Sequence, residues 1–212
     1  LVKQIEQILT LPENGSGSTF PPIQVPEPCE ERFTRSVMGV HICRGVHGLK
    51  YDDPKRFAGF VLANVVGGGM SSRLFQRVRE QEALAYNIYS FIDTLRHAGT
   101  FGAYLGTDPD RFEHALQVLD EEYDKIRKEG IAPDELTRAK EQLKGNLMLS
   151  QEGTSGRMFR LAKMEIYLGR FITLDETLTL IDTVTEQEVM ALAEEFLNPQ
   201  RQYTAIILPQ DN

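Results

Sequence analysis

Apolar residues recur at helical spacing from the start of the chain, at Val2, Ile5, Ile8 and Leu9, and Pro12 follows as a stop. Glu13 to Ser18 is then rich in glycine and serine, and Pro21 to Pro28 is rich in proline. Together they read as a linker, flexible first and stiffer afterwards. The expected boundary falls there: residues 1–29 hold the last helix of a preceding domain and its linker, and residues 30–212 form a complete domain. A strand is expected over Phe33–Cys43, with Met38, Val40 and Ile42 on one face. Pro54 suits the first position of a helix running to about Val66, which Gly67-Gly68-Gly69 breaks, and a short helix is expected over Ser71–Gln81. Tyr86–Asp93 and Thr100–Thr107 are aromatic and β-branched across a short link ending at Gly99, which predicts an antiparallel hairpin.

The second half reads as helical. After Asp108-Pro109, the residues Phe112, Ala115, Leu116, Leu119, Tyr123 and Ile126 form one stripe that Gly130 ends. Pro133 opens a helix whose Leu136, Ala139, Leu143 and Leu147 face inward, and a third helix covers about Ser155–Leu168. Thr185-Glu186-Gln187-Glu188 is a capping-box sequence ahead of Val189, Leu192, Ala193 and Phe196. Asn198-Pro199 stops that helix, and Tyr203–Leu208 reads as a closing strand. Strands at both ends of a helical run imply an α/β (α+β) fold, a two-layer sandwich of a mostly antiparallel or mixed sheet covered by helices.

Composition narrows the function classes. The 212 residues are 41% hydrophobic and 25% charged, ordinary for a globular protein able to bury a core. A net charge of -8 argues against nucleic acid as a partner, because phosphate binding needs a basic footprint. It would suit cationic peptides, although acidic surfaces are common. The two cysteines, Cys29 and Cys43, make no disulfide framework and point to a reducing compartment. No apolar run is long enough to cross a bilayer. Leu1 carries neither an initiator Met nor a signal peptide, so the chain is expected to begin inside a longer protein.

Candidate chemistry is sparse at first sight. His41, His47, His97 and His114 stand in no zinc-ligand spacing, so no metal site is expected within the chain. A Gly-x-Ser-x-Gly elbow is missing, and carboxylates such as Asp120-Glu121-Glu122 read as solvated helix surface. Gly67-Gly68-Gly69 lacks the Gly-Lys-Ser/Thr ending of a phosphate loop and follows a helix rather than a strand. It reads as a hinge between helices, or as bare backbone that a peptide can approach.

One segment is distinctive: Gly67-Gly68-Gly69-Met70-Ser71-Ser72-Arg73-Leu74-Phe75-Gln76-Arg77-Val78-Arg79-Glu80, continuing through Gln81-Glu82-Ala83-Leu84-Ala85-Tyr86-Asn87-Ile88-Tyr89-Ser90-Phe91. With Gly99 to Thr107 and the helical tail, it closely resembles the C-terminal domain of the insulinase/pitrilysin family of zinc metallopeptidases, in the bacterial branch like the mitochondrial processing peptidases. The resemblance covers roughly residues 33–208. It implies two similar α/β halves that close on a peptide like a clamshell, with zinc held by an inverted His-x-x-Glu-His motif in an N-terminal half that this sequence does not include.

The resemblance also implies roles. Tyr86 would donate a hydrogen bond to the oxyanion of a peptide under attack, Arg79 would hold a substrate carbonyl, and Gly67, Gly68 and Gly69 would let the substrate backbone approach. Without it, Arg79 would read as a solvated helix residue and Tyr86 as a strand aromatic. The expected partners are the N-terminal catalytic half, an extended peptide or unfolded protein, and a second copy in a homodimer, in a bacterial cytoplasm; the chain alone is expected to be inactive. The alternatives are a non-catalytic binding or assembly subunit of the same fold, and a nucleotide-binding module at Gly67–Gly69. Presence of both Arg79 and Tyr86, and of a glycine loop without a long insertion, favours the peptidase half.

Overall fold

The computed structural model describes residues 2–8 and 23–210. The opening helix, α1, spans Val2–Ile8. Leu9, Pro12 and the glycine- and serine-rich part of the expected linker lie outside the described residues, and residues 23–29 form neither helix nor strand.

Five strands form one mixed sheet: β1 (Glu30–Arg35), β2 (Val40–His47), β3 (Asn87–Thr94), β4 (Gly99–Thr107) and β5 (Tyr203–Pro209), in the order β1-β5-β2-β4-β3. The single strand expected over Phe33–Cys43 is two strands. β1 pairs in parallel with β5, β2 pairs antiparallel with the other edge of β5, and the chain arches over the end of β5 between them. Met38 therefore lies in the arch, 99% exposed, and not on the face of Val40 and Ile42. Alternation of side chains could not separate the two strands, because the partner that parts them comes from the far end of the chain. The β3–β4 hairpin forms as expected.

Period-2 alternation sends Val40, Ile42 and Val46 of β2 and Phe101, Ala103 and Leu105 of β4 to one face, where they are buried. The helices cover that face. α2 (Arg56–Gly67) packs on β3, and α7 (Glu186–Phe196) packs beside it near β2. α3 (Phe112–Glu129) packs on α7, and its expected stripe is buried at Ala115, Leu116, Leu119, Tyr123 and Ile126. α4 (Pro133–Ser150) and α6 (Leu174–Asp182) pack on the outer side of α2, and α5 (Thr154–Leu168) joins them in the chain. Each fully buried large apolar side chain contributes about 1.5–3 kcal/mol. Arg44 of β2 also points into this layer, where it is bonded to Asp120 and to Thr204 Oγ1 at 3.0 Å.

Two capping boxes set helix starts. Thr185 Oγ1 accepts from Glu188 N at 3.2 Å while Thr185 N donates to Glu188 Oε2 at 2.8 Å, as the sequence predicted for α7. Thr173 and Glu176 do the same for α6, a nine-residue helix that the apolar pattern alone did not expose.

Candidate functional site

Between α2 and β3 the chain runs through Gly67–Gly69, a short helix and a tight turn. Gly67 is the last residue of α2 and lies against β3: a Cβ there would stand 2.4 Å from Ser90 N. A side chain at Gly68 would fall on Asn64, and one at Gly69 on Gln142. Gln142 Nε2 donates to Gly68 O at 2.8 Å and Asn64 Nδ2 to Ala139 O at 3.0 Å, so α4 ties the glycine turn down. Gly67 is buried, whereas Gly68 and Gly69 are half-buried.

The short helix widens to a π-helical pitch over Phe75–Gln81. Such wide turns concentrate at functional sites, because they re-aim a side chain while keeping the backbone bonded. Arg73 fixes its beginning. Its Nε and Nη2 bond Glu135 Oε1 and Oε2 at 2.6 and 2.8 Å, Nη2 also reaches Gly130 O at 3.1 Å, and Nη1 lies 3.4 Å from Glu122 Oε1. The hydrogen bonds that Glu135 accepts hold the Arg73 guanidinium above its ordinary pKa. Arg77 pairs with Glu82 at 2.7 Å.

The turn out of this helix is strained. Ala83 has φ +51°, a left-handed conformation that costs a residue with a Cβ about 1–3 kcal/mol. Neighbouring bonds over-determine it: Leu84 N donates to Val78 O at 2.8 Å, Thr107 Oγ1 to Leu84 O at 2.5 Å, and Arg111 Nη1 to Ala83 O at 2.9 Å. Val78, Leu84 and Ala85 are buried in the core.

Arg79 and Tyr86 flank this anchored stretch and both are exposed. Arg79 sits in the last turn of the wide helix with its guanidinium 4.9 Å from the Phe75 ring centre, and it is ion-paired with no carboxylate among the described residues. Tyr86 immediately precedes β3, as expected of a helix-end and strand-start pair. Its N donates to Gly106 O at 3.1 Å, and its hydroxyl donates to Thr107 O at 2.8 Å. The ring lies over bare backbone: a Cβ at Gly39 would stand 2.1 Å from the Tyr86 hydroxyl, and one at Gly106 would stand 3.2 Å from Cε2.

Sequence reasoning missed Gly39, Gly106 and Thr107 as the bed of Tyr86. The only local signal was the recurrence of glycine in β4 and at the end of the β1–β2 arch. Beyond them, on the face of the sheet away from the helices, Tyr89 and Tyr104 stack at 5.1 Å, and the Tyr104 hydroxyl lies 2.6 Å from His41 Nδ1. Burial, then Tyr89 and Tyr86, push Tyr104 up from its ordinary value.

The histidines are scattered. His41 is engaged with Tyr104, the buried His47 Nε2 has no partner among the described residues, His97 lies in the β3–β4 link, and His114 Nε2 stands 4.0 Å from Glu82. Among the described residues no three His, Cys, Asp or Glu side chains converge to hold a metal ion, so these residues do not fit a zinc site. No helix of the described chain is long and apolar enough to cross a membrane.

Solved structures share this architecture. The peptidase M16 inactive domain from Pseudomonas fluorescens superposes with a TM-score of 0.84 at 22% identity, covering 95% of this chain and 48% of that one. A protease from Helicobacter pylori superposes with a TM-score of 0.86 at 17% identity, covering 98% of this chain and 50% of that one. At those identities they show the fold alone. A helix-backed mixed sheet of this order is the fold that those domains share with this chain.

The chain belongs to the peptidase M16 family, and residues 1–143 match the family model described as the peptidase M16 inactive domain. It is 36% identical over 192 residues to an uncharacterized zinc protease, YmxG, of Bacillus subtilis, covering 90% of this chain and 47% of that protein. It is 38% identical over 167 residues to an uncharacterized zinc protease of Streptomyces coelicolor, covering 79% of this chain and 36% of that protein. The chain thus spans half the length of these relatives or less.

Proposed function

We propose that this chain is the substrate-gripping half of a zinc-dependent endopeptidase, completing through Arg79 and Tyr86 an active site whose metal and ligands belong to the other half. The observation that carries it is the Arg73–Tyr86 segment. A charge knot, a wide helix and a strained turn, anchored by buried Val78, Leu84 and Ala85, hold two polar side chains out of the fold. Strain of that kind persists where the surroundings over-determine it, and it clusters at functional sites.

A peptide carbonyl under attack gathers negative charge on its oxygen, and a tyrosine hydroxyl aimed at it stabilises that charge. Tyr86 has the donor, but here the donor is committed to Thr107 O. Engaging substrate therefore means exchanging a bond worth about 1 kcal/mol for a charge-assisted one roughly twice as strong. Arg79 presents an unpaired fork of donors suited to a backbone carbonyl or a carboxylate of an extended peptide. The half-buried Gly68 and Gly69 lie at the start of the segment and would meet the peptide backbone, while Gly67 serves by letting β3 come close.

The test uses the protein with both halves. Tyr86→Phe is expected to lower kcat by about 10²–10³, the loss seen when one oxyanion donor is removed. An unchanged kcat removes Tyr86 from the mechanism. The 212-residue chain by itself is expected to show no chelator-sensitive peptidase activity. A second reading, a binding or assembly subunit, has the support of a fold likeness to a chain of Complex III2 from Candida albicans, TM-score 0.84 at 17% identity. It predicts intact assembly and no activity in either variant or parent.

A further inference from the structure

At the opposite end of α2 from Gly67, about 10–15 Å along the helix, a cavity of about 400 Å³ opens where α2, α4, α5 and α6 meet. Its walls are apolar, with Phe57, Phe60, Leu143, Leu147, Phe159 and Ile181 prominent among them. Three cations, Arg56, Arg160 and Lys163, also line it, and no carboxylate does. In a chain of net charge -8 that is a local reversal of sign.

Arg56 and Arg160 are held in place without being neutralised. Arg160 Nη2 donates to Ile172 O at 2.8 Å, Thr173 O at 3.1 Å and Thr177 Oγ1 at 2.9 Å, leaving Nε and Nη1 without an acceptor among the described residues. Arg56 lies over the rings of Phe57 at 4.6 Å and Tyr51 at 5.7 Å, and its Nη1 donates only to the backbone carbonyl of Asp53, at 3.4 Å. Asp52 and Asp53 act on Arg56 electrostatically from beyond ion-pair distance, as does Arg170 with the opposite sign. Burial is the largest influence on Arg56 and pushes it below its ordinary value, so an anion arriving there would be stabilised. α5 also exposes the apolar side chains of Met158, Leu161 and Ile166.

We propose that this cavity binds an anionic single-chain amphiphile, its aliphatic chain among Phe60, Leu147 and Phe159 and its headgroup against Arg56, Arg160 and Lys163. The volume lies in the range of small-molecule sites, about 300–1,000 Å³, and an apolar lining with a few fixed polar groups is their usual make-up. Charge complementarity selects the sign of the head, and the apolar walls select the chain. None of the lining residues belongs to the Arg73–Tyr86 segment, and the proposal does not rest on the peptidase reading.

Calorimetric titration of the chain with decanoate and with decyl phosphate, below their micellar concentrations, tests it. Saturable binding of either anion at one site per chain is expected, and the tighter of the two identifies the headgroup as carboxylate or phosphate. 1-Decanol and decyltrimethylammonium are expected to bind at least roughly tenfold more weakly, as is either anion to Arg160→Gln with Lys163→Gln, the loss of a charge-assisted bond. Because Arg160 also braces the start of α6, Lys163→Gln alone, at a side chain that bonds nothing among the described residues, serves as the second variant; it is expected to weaken binding severalfold with an unchanged melting temperature. No binding of either anion, equal binding of the neutral or cationic probe, or unaltered affinity in Lys163→Gln and the double variant overturns the proposal. So does sedimentation showing a dimer that Phe159→Asp dissolves while the anions fail to bind, which would make the face an interface between copies.

Discussion

At its C-terminal end α2 runs into a glycine turn where every space is filled: β3 occupies the side-chain position of Gly67, Asn64 that of Gly68 and Gln142 that of Gly69. At its N-terminal end the same helix borders an open cavity, with cations that form no ion pair among the described residues and aromatic rings partly in water. The first end is packed and polar groups there are matched, so that strain at Ala83 can be borne and two side chains presented. The second is loosely filled and electrostatically unfinished. Tight packing goes with positioning, whereas an unfilled, unmatched volume goes with binding something from outside.

Substitutions at the two ends should separate them. Arg73→Ala, at the packed end, leaves Glu135 and Glu122 largely buried without their partner, and a loss of about 3–5 kcal/mol in denaturant unfolding is expected. A loss under 1 kcal/mol would mean that the knot is not what braces the wide helix. Gly67→Ala forces a methyl onto the Ser90 backbone and should cost about 1–3 kcal/mol. In the protein with both halves it should also depress kcat by disturbing the segment that follows; a variant with full stability and activity breaks the link between packing and presentation.

At the cavity end the expected effects are smaller. Thr173→Ala removes the cap of α6, which carries Thr177 and Ile181 into the cavity wall, and about 1 kcal/mol of stability should go with it. The same box predicts a pH effect. The backbone N–H of Thr173 holds the Glu176 carboxylate below its ordinary value, so its folded pKa is depressed. Stability from it is present above the unfolded value and is lost as pH falls through the folded one. A melting series at acid pH in which Glu176→Gln shows the same slope as the parent would exclude that contribution. Smallest of all, Phe159→Ala, at a ring 61% exposed, should change stability by no more than about 0.5 kcal/mol. A larger loss would show that the cavity wall is a structural element after all.

How far the sequence could be read varied with the range of the interactions involved. The start of α7 was legible because Thr185 and Glu188 cap each other within one turn. The stripe of α3 and the β3–β4 hairpin were legible because their periodicity lies in consecutive residues. α6 was missed although Thr173 and Glu176 carry the same box, since a nine-residue helix offers too few apolar repeats to stand out from a loop. The Gly67–Phe91 segment was recognised from its residues alone, and Arg79 and Tyr86 came with that resemblance. Arg73 carries no local signal of its role, and only its contacts with Glu135 and Glu122 across 62 and 49 positions show what it braces.

By itself, then, the chain's order of residues determined the helices other than α6, the hairpin, the family and the lack of a zinc-ligand spacing, all of which are written in runs of neighbouring residues. Tertiary structure alone decided that Phe33–Cys43 is two strands parted by β5, that Ala83 adopts a positive φ, and that the Tyr86 hydroxyl rests on Thr107 O. It also decided that Arg56, Arg160 and Lys163 surround one apolar cavity. The physical reason is common to all four. Each depends on a partner brought from a distant part of the chain, and no local periodicity or propensity records which strand, carbonyl or charge that partner will be.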